Sequence, residues 1–243
     1  RSSNPAMRAF SNEMSVAGEE AMTIKGTIHK TAILFLLVLL TATITWKLAM
    51  VGNSIAGTLM WVGLGGGLIT ALVIIFSKSK SNIHILAPIY ALFEGLLLGA
   101  ISAFFSQAFY PGIVFQAVLL TFAVFAIMLL LYRFEILKAS PGFIKGVVMA
   151  TGGIMLFYLV VIIGSFFGLE LGVFSMGPIG IIIQVAIVVI AALNLILDFN
   201  LIEQGSAQGI PKKMEWFGAF ALAVTLIWLY LEILRLLAIL SRR

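Results

Sequence analysis

The chain has 243 residues, of which 62% are hydrophobic and only 10% charged; mean hydropathy is +1.16 and the formal net charge +5. Soluble domains carry about 25% charged residues and do not sustain apolar runs of about twenty, so a soluble fold is excluded and an all-α polytopic membrane protein is expected. Cysteine is absent, which removes disulfides and thiolate metal ligands, and the basic residues sit in loops rather than among aromatics, which argues against nucleic acid as a partner.

Residues 1–28, rich in Ser, Asn and Glu, are too short and polar to bury a core. They read as a cytoplasmic N-terminal tail or surface helix, and 29–243 as the transmembrane domain. Runs able to cross about 30 Å of hydrocarbon need roughly twenty residues, and seven occur, at approximately 31–49, 56–76, 84–105, 113–132, 146–168, 177–202 and 216–240. The first is too long for a signal-peptide core. In lipid every backbone polar group must be satisfied within a helix or a closed barrel, and these runs are too continuously apolar for barrel strands. The expectation is a bundle of seven transmembrane helices.

Turn residues separate the runs, as at Gly52-Asn53-Ser54, Tyr110-Pro111-Gly112, Ser140-Pro141-Gly142 and Gly209-Ile210-Pro211. With alternate loops assigned to opposite sides, eleven Lys and Arg (Arg1, Arg8, Lys25, Lys30, Lys78, Lys80, Arg133, Lys138, Lys145, Lys212 and Lys213) fall on one side. Four, Lys47, Arg235, Arg242 and Arg243, fall on the other. Positive charge stays inside, so the N-terminus is expected in the cytoplasm. Glycines within the spans, among them Gly63, Gly66 and Gly67 in the second, Gly95 and Gly99 in the third and Gly152 and Gly153 in the fifth, read as close helix packing through small residues.

The informative residues are the polar ones inside the spans, because a charge at that depth is costly unless it meets a partner or water. Glu94 lies roughly 16 Å from the cytoplasmic side, near the midplane, with no basic residue within a helical turn. Asp198 lies a little over one turn from the cytoplasmic end of the sixth span, flanked by Asn194 and Asn200, and Glu232 lies in the outer half of the seventh. Glu203 and Glu215 mark the inner mouth. These residues are the candidate ion pathway, with Asp198 and Glu94 the candidate ligands for calcium, a cation that prefers oxygen donors.

Gln184, Ala191, Asp198 and Gly205 recur every seven residues, giving the sixth helix a seam of small and polar groups; Gly218, Thr225 and Glu232 give the seventh a matching one. Each seam is also open to a plain packing role, and Glu232 to a local ion pair with Arg235. Catalysis is not expected, and no cofactor is implied. The histidines His29 and His84 form no metal motif, no nucleophile elbow or phosphate loop is present, and intramembrane proteolysis by two aspartates fails because Asp198 is the only one.

Three stretches carry a likeness to a known family: Phe93-Glu94-Gly95-Leu96-Leu97-Leu98-Gly99, Leu197-Asp198-Phe199-Asn200-Leu201-Ile202, and Leu229-Tyr230-Leu231-Glu232-Ile233-Leu234-Arg235-Leu236-Leu237. With the seven spans, the chain resembles the Bax inhibitor-1, or transmembrane Bax inhibitor motif, family in a bacterial branch. The resemblance implies a passive, pH-sensitive calcium leak in which helix seven is central and acids on helices six and seven share a proton. Asp198 matches the first acid. The second falls on Thr225 if the terminal Leu-Leu-Arg run is aligned and on Glu232 if the Leu-Tyr-Leu-acid element is; Glu203 or Glu215 is a substitute close to Asp198. A basic latch beside the pair maps near Lys78.

The expected function is therefore a calcium leak of a bacterial inner membrane, gated by protonation around Asp198, whose partners are the lipid bilayer and calcium or other cations. A non-conducting regulator bound to a membrane protease or cell-death factor, and a proton-coupled cation exchanger, are the alternatives.

Overall fold

The computed structural model describes residues 20–77, 80–167 and 177–241. Seven α-helices follow in order: α1 Ile24–Met50, α2 Ile55–Phe76, α3 Ile83–Ala108, α4 Ile113–Arg133, α5 Pro141–Phe166, α6 Pro178–Ala207 and α7 Met214–Ser241. All seven are long and apolar enough to cross a membrane. Leu36, Leu39 and Leu40 on α1, Trp61, Leu68 and Ile69 on α2, and Met155, Leu156 and Val160 on α5 are exposed, as suits helices in contact with lipid. Of the seven, α7 buries the largest share of its residues and α5 the smallest.

Several helices start before their apolar runs because caps, not hydropathy, set their ends. Residues 24–28, read as tail from composition, form the first turn of α1: Thr23, in extended conformation, accepts from the Gly26 amide and caps it. Likewise Ser140 accepts from the Phe143 amide, with Pro141 at the first helical position, so α5 starts at 141 rather than 146. Between α6 and α7 the chain reverses at Gly209, whose φ of +63° is a left-handed conformation suited to glycine.

Two compact units are present, one formed by Arg1–Val114 with Asn200–Val224, the other by Phe115–Phe199 with Thr225–Arg243. In the first unit α3 packs on both α1 and α2. The contacts are backbone-close because glycine stands at them. A Cβ on Gly99 would lie 2.3 Å from the Ala42 carbonyl oxygen, and one on Gly63 would lie 2.6 Å from that of Phe93. Gly152 and Gly153 of α5, expected to pack in the same manner, have no atom of the described residues within 4 Å of an added Cβ, so among these glycines the close packing is made by those of α2 and α3.

The start of the described chain is fastened to the α6–α7 loop. The Met22 amide donates to the Ile210 carbonyl at 2.7 Å and the Lys212 amide to Glu20 at 2.8 Å, a short antiparallel bridge that seats Met22 in the core. In the second unit Phe199 on α6 meets Phe125 and Tyr132 of α4, ring centroids 5.7 Å apart in both cases. Asn194 donates to the Thr151 hydroxyl of α5 at 2.8 Å and to its own helix at Ile190.

Candidate functional site

The two heptad seams meet within the second unit. Asp198 on α6 is hydrogen-bonded to the Thr225 hydroxyl of α7, while its Oδ2 is sealed from the surface and has no hydrogen-bond partner among the described residues. One donor is too few for a buried carboxylate, whose desolvation is normally offset by several. A proton or a cation on Oδ2 would complete it. Within the described second unit Asp198 thus faces a hydroxyl.

Two turns further along α7, Glu232 sits in a different environment. Its buried carboxylate accepts from Tyr158 of α5 at 2.9 Å, Gln184 of α6 at 2.8 Å, Trp228 at 2.9 Å and Arg235 at 3.1 Å. The guanidinium of Arg235 also donates to the Tyr158 hydroxyl and stacks over its ring, 5.0 Å from the centroid. Glu232 therefore has its ion pair with Arg235, but inside a four-residue network. Tyr158 was not marked by the sequence, since a lone tyrosine in an apolar span carries no pattern.

Of the other pathway residues, Asn194 lies in the second unit and Glu94, Asn200, Glu203 and Glu215 in the first. Glu94 is half-buried and hydrogen-bonded to Tyr90, which meets Phe220 of α7 edge-on at 4.9 Å. Its Oε2 fills the space that a Cβ on Gly67 of α2 would occupy at 2.9 Å. Asn200 accepts from Gln204 one turn on, at 3.0 Å, and Glu203 is exposed. Among the described residues no group of three or more His, Asp or Glu side chains converges as a metal site.

Glu215, one of the candidate substitutes for the second acid, has partners of its own in the first unit. Its carboxylate, on the first turn of α7, is buried and holds the start of α1: Oε1 accepts from the Thr23 amide and hydroxyl, both at 2.9 Å, and Oε2 pairs with Lys30. Gly26 makes room, since a Cβ there would fall 2.1 Å from Oε1. The α7 N-terminus adds its own favourable field for an anion. Removing one partner of a buried pair strands the other, at a cost on the order of 3 kcal/mol. Glu215→Gln is accordingly expected to lower the thermal midpoint of the purified protein by several degrees. Glu20, whose carboxyl is held below its usual range by Lys212 but whose side chain is 75% exposed, should tolerate Glu20→Gln without a measurable shift.

Lys78, where the latch was expected, lies outside the described residues. Lys80 is described: buried, its Nζ donates to the Ile74 and Ile75 carbonyls that end α2 and sits 5.2 Å from the Phe217 ring centroid on α7.

The family model described as Bax inhibitor 1 like matches residues 4–242. The chain belongs to that family. No curated protein matches it. In this Bax inhibitor 1 like protein Thr225 stands opposite Asp198, and Glu232 has partners of its own.

Proposed function

We propose that this Bax inhibitor 1 like protein is a pH-sensitive calcium leak whose gate is the Asp198–Thr225 hydrogen bond. The observation that carries the reading is the buried Oδ2 of Asp198, which has no donor among the described residues, on a predominantly apolar helix. An ionised carboxylate accepts the Thr225 hydroxyl in a charge-assisted bond, which holds α6 to α7. Protonation turns it into a weaker neutral one, and the balance shifts from closed to open. In the second unit the carboxylate of Asp198 is an oxygen donor of the kind that suits a hard cation, and in the first unit that of Glu94 is another. The charge bias of the loops supports an N-terminus in the cytoplasm and, with the bacterial resemblance, an inner-membrane location.

The test is flux from calcium-loaded vesicles containing the purified protein, recorded across pH. Outward flux without any counter-gradient, rising as pH falls, supports the leak. Flux that requires an opposing proton gradient would make the protein an exchanger, and absence of flux at every pH would leave only the regulatory alternative. Thr225→Val removes the hydroxyl and leaves the acid. It is expected to raise neutral-pH flux toward the acid level while retaining a residual pH response, because Asp198 still titrates.

A further inference from the structure

Residues 20–23, which lead into α1, are not used by the Asp198 gate. They lie across the loop that joins α6 to α7, and every group they touch there belongs to the first unit. Ala21 pairs with Pro211 in the antiparallel bridge, and the two bonds flanking that pair run from Met22 to Ile210 and from Lys212 to Glu20. A proline is tolerated at 211 because the bridge needs no N–H from it. Met22 is the one buried side chain of the four. It enters where three helices come together: a Cβ on Gly218 of α7 would lie 3.1 Å from Ile202 of α6, 3.1 Å from Thr27 of α1 and 3.4 Å from Met22. Thr23 completes the attachment through its two bonds to Glu215 on the first turn of α7.

We propose that Glu20–Thr23 is a detachable inhibitory strap, which when seated ties the end of α6 and the start of α7 to α1 and so restrains the leak. It rests on the leak reading and adds a restraint separate from the Asp198–Thr225 bond. The helices it holds by their ends are the ones that carry that bond, since Asp198 stands one turn before Ile202 on α6 and Thr225 two turns after Gly218 on α7. Detachment is local. Glu20, Ala21 and Thr23 are exposed, and the Glu20–Lys212 pair is open to water, where such pairs hold weakly. Lifting the strap breaks two backbone bonds, the two Thr23 bonds and the seat of Met22. It strands no charge, because Glu215 keeps its pairing with Lys30, which lies within α1 and not in the strap. The strap therefore leaves and returns while α1 stays paired with α7.

The chain has no cysteine, so introduced thiols have no native competitor. Residues 21 and 211 form a non-hydrogen-bonded pair, whose Cα atoms stand about 4.5 Å apart in antiparallel strands, within reach of a disulfide. The full chain carrying Ala21→Cys with Pro211→Cys is purified, oxidised and placed in calcium-loaded vesicles at acid pH. It is expected to leak roughly fivefold more slowly, or slower still, than the same sample after reduction. The wild type and each single-cysteine variant should be indifferent to oxidant. Met22→Asp, which sets a charge in the seat, is expected to leak faster than the wild type at neutral pH by a similar factor. Met22→Ser, which only empties the seat, is expected in between and decides the matter should Met22→Asp fail to fold. A pair variant that does not cross-link, or that is cross-linked yet leaks at its reduced rate, would overturn the strap, as would folded Met22 variants that leak at the wild-type rate. Wild-type protein that leaks at no pH removes the leak reading and the strap together, whereas a leaking wild type beside a redox-indifferent pair variant removes the strap alone.

Discussion

Gly95→Leu is expected to leave little folded protein. A Cβ at position 95 on α3 would lie 2.0 Å from the Thr41 hydroxyl and 2.3 Å from the Val38 carbonyl oxygen of α1. The second of these is backbone and cannot rotate away, so α1 and α3 must part. Thr41 would then lose its 2.9 Å bond to the Leu92 carbonyl, one of the polar links between the two helices. Overpacking alone costs about 1–3 kcal/mol. Between lipid-immersed helices there is no hydrophobic force to re-form the contact, because association there rests on packing and interhelical hydrogen bonds. Monodisperse yield in detergent and the thermal midpoint should both collapse. Gly152→Leu is the control: it adds the same side chain within a span where an added Cβ meets nothing within 4 Å, and wild-type behaviour is expected. Equal stability of the two variants would contradict the close α1–α3 packing.

Asp198→Asn is expected to abolish the pH response and to hold flux at its acid-pH level throughout. In the wild type the Thr225 hydroxyl is hydrogen-bonded to the Asp198 carboxyl. A hydrogen bond to a charged group contributes about 1.5–3 kcal/mol against about 1 for a neutral one, so protonation shifts the closed-to-open balance by roughly two- to thirty-fold. The sign follows: closure is favoured while the carboxylate is ionised and is lost as pH falls through its titration. Asparagine keeps the shape and the acceptor but carries no charge at any pH, so the variant behaves as the protonated acid does. Flux in calcium-loaded vesicles reads this directly, and an Asp198→Asn protein that still responds to pH would remove Asp198 from the gate.

The membrane character and the seven spans were legible because hydropathy alone decides which segments enter lipid. Helix starts were not, since the first turns of α1 and α5 lie outside the apolar runs and are set by Thr23 and Ser140 as caps. The seams of α6 and α7 were visible in the seven-residue repeat, but not which residue of α7 faces Asp198. Thr225 and Glu232 share one helix face, and only the approach of α6 separates them. The role of Glu215 was hidden for a different reason: its partners Thr23 and Lys30 are nearly two hundred residues away in sequence, and a glycine at position 26 says nothing of what fills its empty Cβ site. Tyr158 was missed as the group that joins Glu232 to Arg235, because no periodicity marks it.

Asp198 is the only aspartate in the chain, which permits a direct observation of the gate. Protein labelled with carboxyl-¹³C aspartate and reconstituted in vesicles can be followed by infrared difference spectroscopy across pH, with calcium flux recorded on the same preparation. The gate mechanism predicts that the labelled carboxylate band gives way to a protonated carboxyl band over the pH range in which flux rises, and that Thr225→Val perturbs that band. Flux that rises with acid while the labelled group keeps one protonation state would contradict it.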